Sequence, residues 1–287
     1  MSHPVIFDRA LLRARRARAA QLGAETFLID RVAEDLAVRL SAVLRRFDVA
    51  ADVGTPTDAV RRAMAGRVGT VVAVDPGAQG DKALTVAADE EALPFRDGSL
   101  DLAVSALALQ FVNDLPGTLI QIRRALKPDG LFLAALIGGD SLAELRAAFA
   151  QAESEVEGGV SPRVAPFADL RDLGALLQRA GFALPVTDID RVTVRYSSPL
   201  SLMHDLRRMG ATNVLTERRR KPLRRATLQR LFEIYADRFA DADGRIRATF
   251  DIIYLSGWKP HESQQKPLAP GSAKASLADV LKDRSGG

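Results

Sequence analysis

The sequence predicts an α/β fold in which a twisted, mainly parallel sheet of seven strands has helices on both faces. Three observations support this prediction. From residue 49 onwards, short apolar segments alternate with helical segments, as in repeated strand–helix–strand units. These apolar segments are almost unbroken, as expected for strands that helices cover on both sides. Two later segments alternate apolar and polar residues, which is typical of antiparallel strands at a sheet edge.

The composition is that of a chain able to bury a full core. Of the 287 residues, 47% are hydrophobic and none is cysteine, which excludes disulfides, thiolate-bound zinc and a cysteine nucleophile. His3, His204 and His261 are too far apart in sequence to form a local ligand pair, so we predict no metal site. Since no run of about 18 apolar residues is present, we expect a soluble protein, with the cytoplasm as the default location.

Residues 1–48 are predicted to form helices that precede the sheet. The first helix is expected over 7–22, which is rich in Ala, Leu and Arg, and the second over 26–47. An arginine-rich beginning is also typical of organelle transit peptides. Asp8 and the direct continuation into a second helix argue against that alternative.

Residues 49–262 are predicted to form one domain. Its strands are expected at 49–53, 70–74, 84–88, 100–106, 130–137, 190–196 and 245–254. Its helices are expected at 58–65, 115–126, 141–152 and 168–180. Gly181 suits a left-handed cap at the end of the last of these helices.

A helical insertion is predicted at about 199–243, because residues 200–238 have a helical pattern. It is expected to be either a lid over a ligand site or a structural cap, since insertions at such positions serve both roles. Residues 263–287 are polar and contain several Pro and Gly residues, so a flexible tail is predicted there.

Two basic clusters provide most of the excess positive charge in a chain of net charge +4. We expect mainly solvated helix faces, with anionic lipid, nucleic acid and acidic proteins as alternative partners. Aromatic residues are sparse near both clusters, which argues against nucleic acid, whereas peripheral membrane association stays open. The clusters are Arg9, Arg13, Arg15, Arg16 and Arg18, and then Arg218, Arg219, Arg220, Lys221, Arg224 and Arg225.

Acidic residues follow the first three predicted strands, at the edge where open α/β sheets bind ligands. Asp52 precedes Gly54, and a glycine turn before a helix lets the backbone approach a ligand. Asp75 is placed to accept hydrogen bonds from ribose hydroxyls, and Asp89, followed by Glu90, from an adenine amino group. The alternatives are a turn or helix cap for Asp75 and solvated loop acids for the other two.

Polar residues that follow the fourth and fifth strands are further candidates for chemistry. We expect Asp52, Asp75 and Asp89 to converge on one nucleoside-sized crevice, with Gln110 at the same edge. Asp114 is a credible N-cap for the next helix. Since each candidate is equally explicable as a cap or surface residue, no catalytic residue is assigned. These candidates are Gln110, Asn113, Asp140, Glu144 and Arg146.

Several segments resemble one family. They include Ile6-Phe7-Asp8-Arg9, Ala88-Asp89-Glu90-Glu91-Ala92-Leu93-Pro94-Phe95, Val112-Asn113-Asp114-Leu115-Pro116, Leu126-Lys127-Pro128-Asp129-Gly130 and Glu144-Leu145-Arg146. The acidic segment that begins at Ala88 and the Lys-Pro-Asp-Gly segment are widely shared. The narrower ones are Gly138-Gly139-Asp140-Ser141-Leu142, Glu157-Gly158-Gly159-Val160-Ser161-Pro162 and Gly257-Trp258-Lys259-Pro260-His261-Glu262-Ser263. Over residues 5–276 the chain resembles the complex I assembly factor 5 type of methyltransferase-like protein, which is related to the biotin-synthesis methyltransferase.

That resemblance implies a Rossmann-like class I methyltransferase fold with S-adenosylmethionine as the cofactor. It also implies a protein substrate, a subunit of respiratory complex I, and arginine hydroxylation during assembly of that complex. The expected location is the cytoplasm of a bacterium or the mitochondrial matrix, at the inner membrane surface. The residues expected to bind the cofactor are Asp52, Gly54, Asp75, Asp89, Glu90 and Gln110.

The chain departs from the family where the cofactor would be held. Pro56 and Asp58 stand in two positions where relatives have glycine, and Gln110-Phe111 stands where a His-Trp pair is common. Pro56 has no amide hydrogen to donate, and Asp58 adds a negative charge near the expected carboxylate. A non-catalytic assembly factor of the same fold is therefore an alternative to the enzyme, and a small-molecule methyltransferase is a third hypothesis.

Overall fold

The computed structural model describes residues 4–77 and 84–265. In this part of the chain the helices are α1 (Arg9–Gln21), α2 (Phe27–Ser41), α3 (Ala59–Ala63), α4 (Leu115–Ala125), α5 (Ala143–Glu157), α6 (Leu170–Arg179), α7 (Pro199–Arg208) and α8 (Arg225–Phe239). The strands are β1 (Phe47–Val53), β2 (Val68–Val74), β3 (Thr85–Val86), β4 (Leu100–Ala106), β5 (Leu126–Gly138), β6 (Ala183–Tyr196) and β7 (Ile246–Trp258).

The strands form one seven-stranded sheet in the order β3-β2-β1-β4-β5-β7-β6. The first five strands pair in parallel, whereas β7 is antiparallel to both β5 and β6. The predicted mainly parallel sheet with an antiparallel edge is thereby confirmed. The ends of β1, β2, β3, β4 and β5 lie along one side of the sheet, which we call the carboxyl edge.

Helices cover both faces of the sheet. On one face, α2 and α8 bury Leu36 and Leu231, and on the other face α4 and α6 bury Leu119 and Leu173. All seven residues of β4 are buried between these layers. This burial explains the almost unbroken apolar pattern from which the strand was predicted.

The second predicted helix is too long. The pattern predicts a helix to residue 47, whereas α2 ends at Ser41 and Phe47 begins β1, where it pairs with Val68. The residues between them favour a helix locally, yet Leu44 is fully exposed while Phe47 is buried. Pairing in the sheet therefore overrides the local preference.

The insertion is not one helical unit. The prediction of helix over 200–238 is wrong for residues 209–224, which separate α7 from α8. Within that stretch, Val214 and Leu215 are buried against Phe7 and Leu12. This contact between distant parts of the chain, which ties the insertion to α1, explains why no helix forms there.

The third strand is shorter than predicted, and the antiparallel strands are longer. A strand is predicted over 84–88, whereas β3 contains only Thr85 and Val86. Residues 78–83 lie outside the described residues. Residues 266–287, most of the predicted tail, also lie outside them.

No helix within 4–77 and 84–265 has the length and apolar character needed to cross a bilayer.

Two buried carboxylates hold the loops that follow β5 and α5. Asp251 accepts hydrogen bonds from the Asp140 amide at 2.9 Å and from Arg191 Nε at 2.7 Å. Glu153 accepts from the Ser161 amide at 2.7 Å and from Arg163 Nε at 2.8 Å. Two of the three segments that most narrowly resemble one family, 138–142 and 157–162, therefore contain loops tied to buried acids.

Candidate functional site

The turn after β1 is fixed between its two neighbouring strands. The Gly54 amide donates to Val74 O at 3.0 Å, and the Ala106 amide donates to Thr55 Oγ1 at 3.1 Å. Gly54 has a φ of +73°, a conformation that glycine adopts without strain. The glycine predicted to allow close approach of a ligand thus lies in a rigid turn at the carboxyl edge.

Asp52, two residues before Gly54, is a buried carboxyl group without a hydrogen-bond partner. Its side chain is 1% exposed and neither of its oxygens is bonded. Arg61 Nη1, a nearby cation, is 4.0 Å from Oδ2. Burial raises the pKa of Asp52 to about 7, because Thr55 and Arg61 offset only part of the loss of solvent.

Asp75 lies at the end of β2, next to β1, and is exposed. Its Oδ1 accepts a hydrogen bond from the Gly77 amide at 2.8 Å, so it stabilises a turn, as the alternative prediction proposed. Its carboxylate nevertheless lies at the carboxyl edge, on the strand beside that of Asp52.

Asp89 and Glu90 are bound by arginines of α1. Arg9 Nη2 is 2.9 Å from Asp89 Oδ1 and also pairs with Glu90, and Arg16 Nη1 is 3.5 Å from Glu90 Oε1. Glu90 is completely buried and lies against the turn, since a Cβ atom on Gly54 would come within 2.8 Å of its Cδ. Helix α1 therefore lies across the carboxyl edge.

These contacts correct the prediction of a solvated helix face for Arg9 and Arg16, whereas Arg13 and Arg18 are exposed. Arg9 and Arg16 pair with acids of the fold, and Arg13 lies 3.7 Å from Asp89. In the second cluster, Arg218 pairs with Asp8 in the same way. The sequence shows the charges but not their partners, because the paired residues are far apart along the chain.

Asn113 anchors the N-terminal segment. Its Oδ1 accepts from the Ile6 and Phe7 amides, both at 2.8 Å, and its Nδ2 donates to Phe7 O at 3.2 Å. Asp114 caps α4 by accepting from the Gly117 amide at 2.8 Å, which confirms the predicted N-cap. Asn113, which was a candidate for chemistry, thus stabilises the position of the N-terminal segment.

The remaining candidates differ in their surroundings. Gln110 donates to Leu107 O at 2.9 Å, while its Oε1 is buried without a partner. Glu144 accepts from Thr249, and Arg146 donates to Ala165 O at 3.4 Å, so both stabilise the fold. Asp140 is mostly exposed and lies 3.5 Å from Arg191.

A cavity of about 430 Å³ lies between the carboxyl edge, α1 and the insertion. Pro56 and Thr57 of the turn after β1, Gln110 after β4, and Met203 of α7 line it. Helix α8 instead packs on α5. The two helices of the insertion therefore have different positions, one beside the cavity and one in the core.

Buried polar atoms without partners are concentrated around Gly54. Of the nine such side-chain atoms in the described residues, six belong to this region. They are Arg9 Nε, Arg16 Nη2, both carboxylate oxygens of Asp52, Glu90 Oε1 and Gln110 Oε1. Because burial of an unbonded polar atom is unfavourable, a ligand with both donors and acceptors would be stabilised here.

The structure brings most of the predicted cofactor residues together. Asp52 and Glu90 lie at the Gly54 turn, Gln110 lines the adjoining cavity, and Asp75 and Asp89 lie at the same edge. Sequence reasoning did not identify Arg9 and Arg16 as parts of this region. Within the part of the chain that the structure describes, no group of three or more His, Asp or Glu side chains could hold a metal ion.

Comparison with known proteins yields relatives over nearly the whole chain. A model described as a methyltransferase domain matches residues 51–134. The chain is 38% identical to the mitochondrial arginine-hydroxylase NDUFAF5 of Danio rerio, over 96% of this chain and 90% of that protein. It is 39% identical to a malonyl-[acyl-carrier protein] O-methyltransferase of Laribacter hongkongensis, over 65% of this chain and 60% of that enzyme.

Comparison with solved structures supports the same fold. A methyltransferase candidate from Bacillus halodurans superposes with a TM-score of 0.52 at 19% identity, covering 78% of this chain and 99% of that one. The Rossmann-like methyltransferase architecture predicted from the sequence is thereby confirmed.

Proposed function

Because this chain belongs to the family of the NDUFAF5 arginine-hydroxylases, within the methyltransferase superfamily, we propose that it binds S-adenosylmethionine and modifies an arginine side chain of a protein. The observation that carries the cofactor proposal is the concentration of unpartnered buried polar atoms around Gly54. S-adenosylmethionine, when bound, supplies a positively charged sulfonium that is able to donate a methyl group.

The residues at the carboxyl edge suit the donors and acceptors of that cofactor. Asp75 is exposed and would accept hydrogen bonds from ribose hydroxyls. Asp52 and Gln110 provide acceptors that lack partners, and Arg16 Nη2 is a donor that lacks one. Since Glu90 lies against Gly54, we expect the cofactor to displace the Glu90 side chain from the turn.

The reaction we propose is hydroxylation of the arginine side chain, as in the names of the relatives. A C–H bond is broken and a C–OH group forms with one oxygen atom of dioxygen. The other oxygen atom leaves as water after it takes up two electrons and two protons from a reductant. Dioxygen and a two-electron reductant are therefore the co-reactants that this proposal requires.

The partner we propose is a subunit of respiratory complex I, and the process is assembly of that complex. This follows from the sequence resemblance to the assembly-factor family. The location would be the bacterial cytoplasm or the mitochondrial matrix, at the inner membrane surface. The relative of Danio rerio is named as a mitochondrial protein, which supports the mitochondrial alternative.

Intact-mass analysis tests the reaction. We expect a complex I subunit from cells that contain the protein to be heavier by one oxygen atom than the subunit from cells that lack it. A mass increase of one methyl group would instead show that the reaction is methyl transfer and not hydroxylation. Identical masses for every subunit would contradict both activities.

Replacing Asp75 by Ala is expected to weaken S-adenosylmethionine binding roughly 10- to 100-fold, because hydrogen bonds to a charged acceptor are lost. Isothermal titration calorimetry on the purified chain measures the change. Asp97→Ala is the matched control, since this exposed carboxylate precedes β4 at the opposite edge of the sheet. Equal affinities of the two variants for S-adenosylmethionine would show that Asp75 does not bind the cofactor.

A non-catalytic assembly factor is the second candidate function, and the position of Glu90 favours it. Glu90 fills the space beside Gly54 and is paired with Arg9 and Arg16, so the chain itself occupies part of the expected cofactor site. This hypothesis predicts no binding by the natural protein at millimolar cofactor. It also predicts that Pro56→Gly combined with Asp58→Gly creates binding.

A further inference from the structure

The cavity between α1, α7 and the carboxyl edge has a strongly positive lining. Glu25 provides its one lining carboxylate in the described residues, against five arginines. These are Arg15, Arg16, Arg163, Arg207 and Arg208.

Three of these arginines are neutralised by the fold. Arg208 lies 3.3 Å from Glu25, Arg163 binds the buried Glu153, and Arg16 lies 3.5 Å from Glu90. Arg15 and Arg207, by contrast, form no ion pair within residues 4–77 and 84–265. Two arginines at the cavity, the partly buried Arg15 and the exposed Arg207, therefore have no ion-pair partner among the described residues.

Arg15 is held in place without being neutralised. Its Nη1 donates to Thr212 Oγ1 at 2.6 Å, so its guanidinium is fixed between α1 and the insertion. Burial and repulsion from Arg218 and Arg207 lower the pKa of Arg15, whereas Asp8 offsets only part of this effect. An anion beside Arg15 and Arg207 would relieve this unfavourable concentration of positive charge.

The rest of the cavity is apolar. Its lining includes Leu28, Phe111, Ile137, Phe149, Met203 and Leu206. A volume of about 430 Å³ falls within the range of small-molecule sites, which are typically apolar with a few charged groups that orient the ligand. The shape and the charge of the cavity therefore suit a ligand with one apolar end and one anionic end.

We propose that this cavity binds an amphipathic anion, a single apolar chain with a carboxylate or phosphate head. The head pairs with Arg15 and Arg207, and the chain lies among the apolar side chains beneath α7. This inference goes beyond the proposed function. The cavity adjoins the expected cofactor site and shares Arg16 and Gln110 with it, whereas the anion pairs with Arg15 and Arg207, which the proposed cofactor does not use. It also gives the insertion a role as the wall of a binding site.

Calorimetry with the full chain and a series of twelve-carbon ligands tests the head group. We expect dodecanoate and dodecyl phosphate to bind, and the tighter of the two identifies the preferred head. Dodecanol is expected to bind at least about tenfold more weakly than the anions, because it forms no charge-assisted bond. Dodecyltrimethylammonium, with the opposite charge, is expected not to bind.

Variants of the arginines test the position of the head. Arg15→Gln and Arg207→Gln are each expected to weaken dodecanoate binding about tenfold or more. Arg18→Gln is the matched control, because Arg18 is exposed on the same helix and does not line the cavity, and it is expected to leave binding unchanged. Circular dichroism and urea unfolding verify that each variant is folded.

The position of the ligand's apolar chain is tested by varying the length of the ligand and by filling the cavity with a larger side chain. From octanoate upwards, affinity is expected to rise about fourfold per methylene until the cavity is full, and then to stop rising. Met203→Trp, which fills the cavity without changing its charge, is expected to abolish binding. The same unfolding measurements serve as its control.

Several outcomes would overturn the inference. Equal binding of the alcohol, the cation and the anions would mean nonspecific adsorption. Dodecanoate binding that is unchanged in Arg15→Gln, together with loss of S-adenosylmethionine binding in that variant, would assign the arginines to the cofactor. Failure of the proposed function is distinguishable, because it would appear as absent cofactor binding or unmodified complex I subunits while dodecanoate still binds.

Discussion

Replacing Asp52 by Asn is expected to stabilise the folded protein at neutral pH by roughly 4 kcal/mol. Burial raises the pKa of Asp52 to about 7 in the folded state, whereas an unfolded aspartate ionises near pH 3.9. Between these values the folded state holds a proton that the unfolded state has released. The asparagine side chain would have the same size as the aspartate and no charge to bury.

The sign of the pH dependence follows from the proton count. Since the folded state binds more protons between about pH 4 and 7, the free energy of unfolding of the natural protein falls as pH rises through that window, and the Asp52 contribution is constant above it. The difference between the natural protein and Asp52→Asn should therefore be absent near pH 4, grow up to pH 7 and then level off.

Urea unfolding of both proteins at several pH values between 4 and 8 measures this difference. Asp97→Asn is the control, because Asp97 is well exposed and its replacement should leave the pH profile unchanged. A constant difference between the natural protein and Asp52→Asn at every pH would show that Asp52 does not keep its proton in the folded state. If Asp52 belongs to the proposed cofactor site, this loss of stability would be an instance of the general conflict between stability and activity at ligand sites.

Replacing Glu153 by Ala is expected to destabilise the protein by about 3 kcal/mol, because it leaves the half-buried Arg163 without its counter-charge and removes the bonds to Ser161. Glu153 is 0% exposed, and it binds Arg163 as well as the amide and hydroxyl of Ser161. Loss of these bonds should also loosen the loop at 158–163, which is part of a segment that narrowly resembles the family.

Urea unfolding and limited trypsin digestion measure both effects. Glu155→Ala is the matched control, since Glu155 lies on the same helix and pairs with Arg230 at the surface, where ion pairs contribute little. We expect faster cleavage at Arg163 in Glu153→Ala alone. Similar unfolding free energies for the two variants would mean that the buried ion pair does not hold the loop.

The predicted fold agrees well with the structure because local patterns carry most of its information. The mostly apolar segment at 100–106 matches β4 residue for residue, since both faces of that strand are buried. The left-handed Gly181 after α6 was predicted for a similarly local reason, and its φ is +82°. Errors occur where a distant contact overrides local preference, as at Phe47 and at Val214.

The candidate site was only partly predictable for the same reason. Asp52, Asp75 and Asp89 each follow a strand, and parallel pairing brings strand ends to one edge, so their common location follows from strand order. The pairing of Glu90 with Arg9 and Arg16 spans more than 70 positions along the chain, and no local pattern indicates it.

The sequence by itself determined the architecture, the superfamily and the acidic edge of this protein, because strand periodicity and glycine turns act over a few residues. Only the tertiary structure decided that α1 lies across that edge, that Asp52 is buried without a hydrogen-bond partner, and that two arginines line a largely apolar cavity. Burial and ion pairing depend on which distant segments pack together, and that packing sets the charge and the pKa of each group.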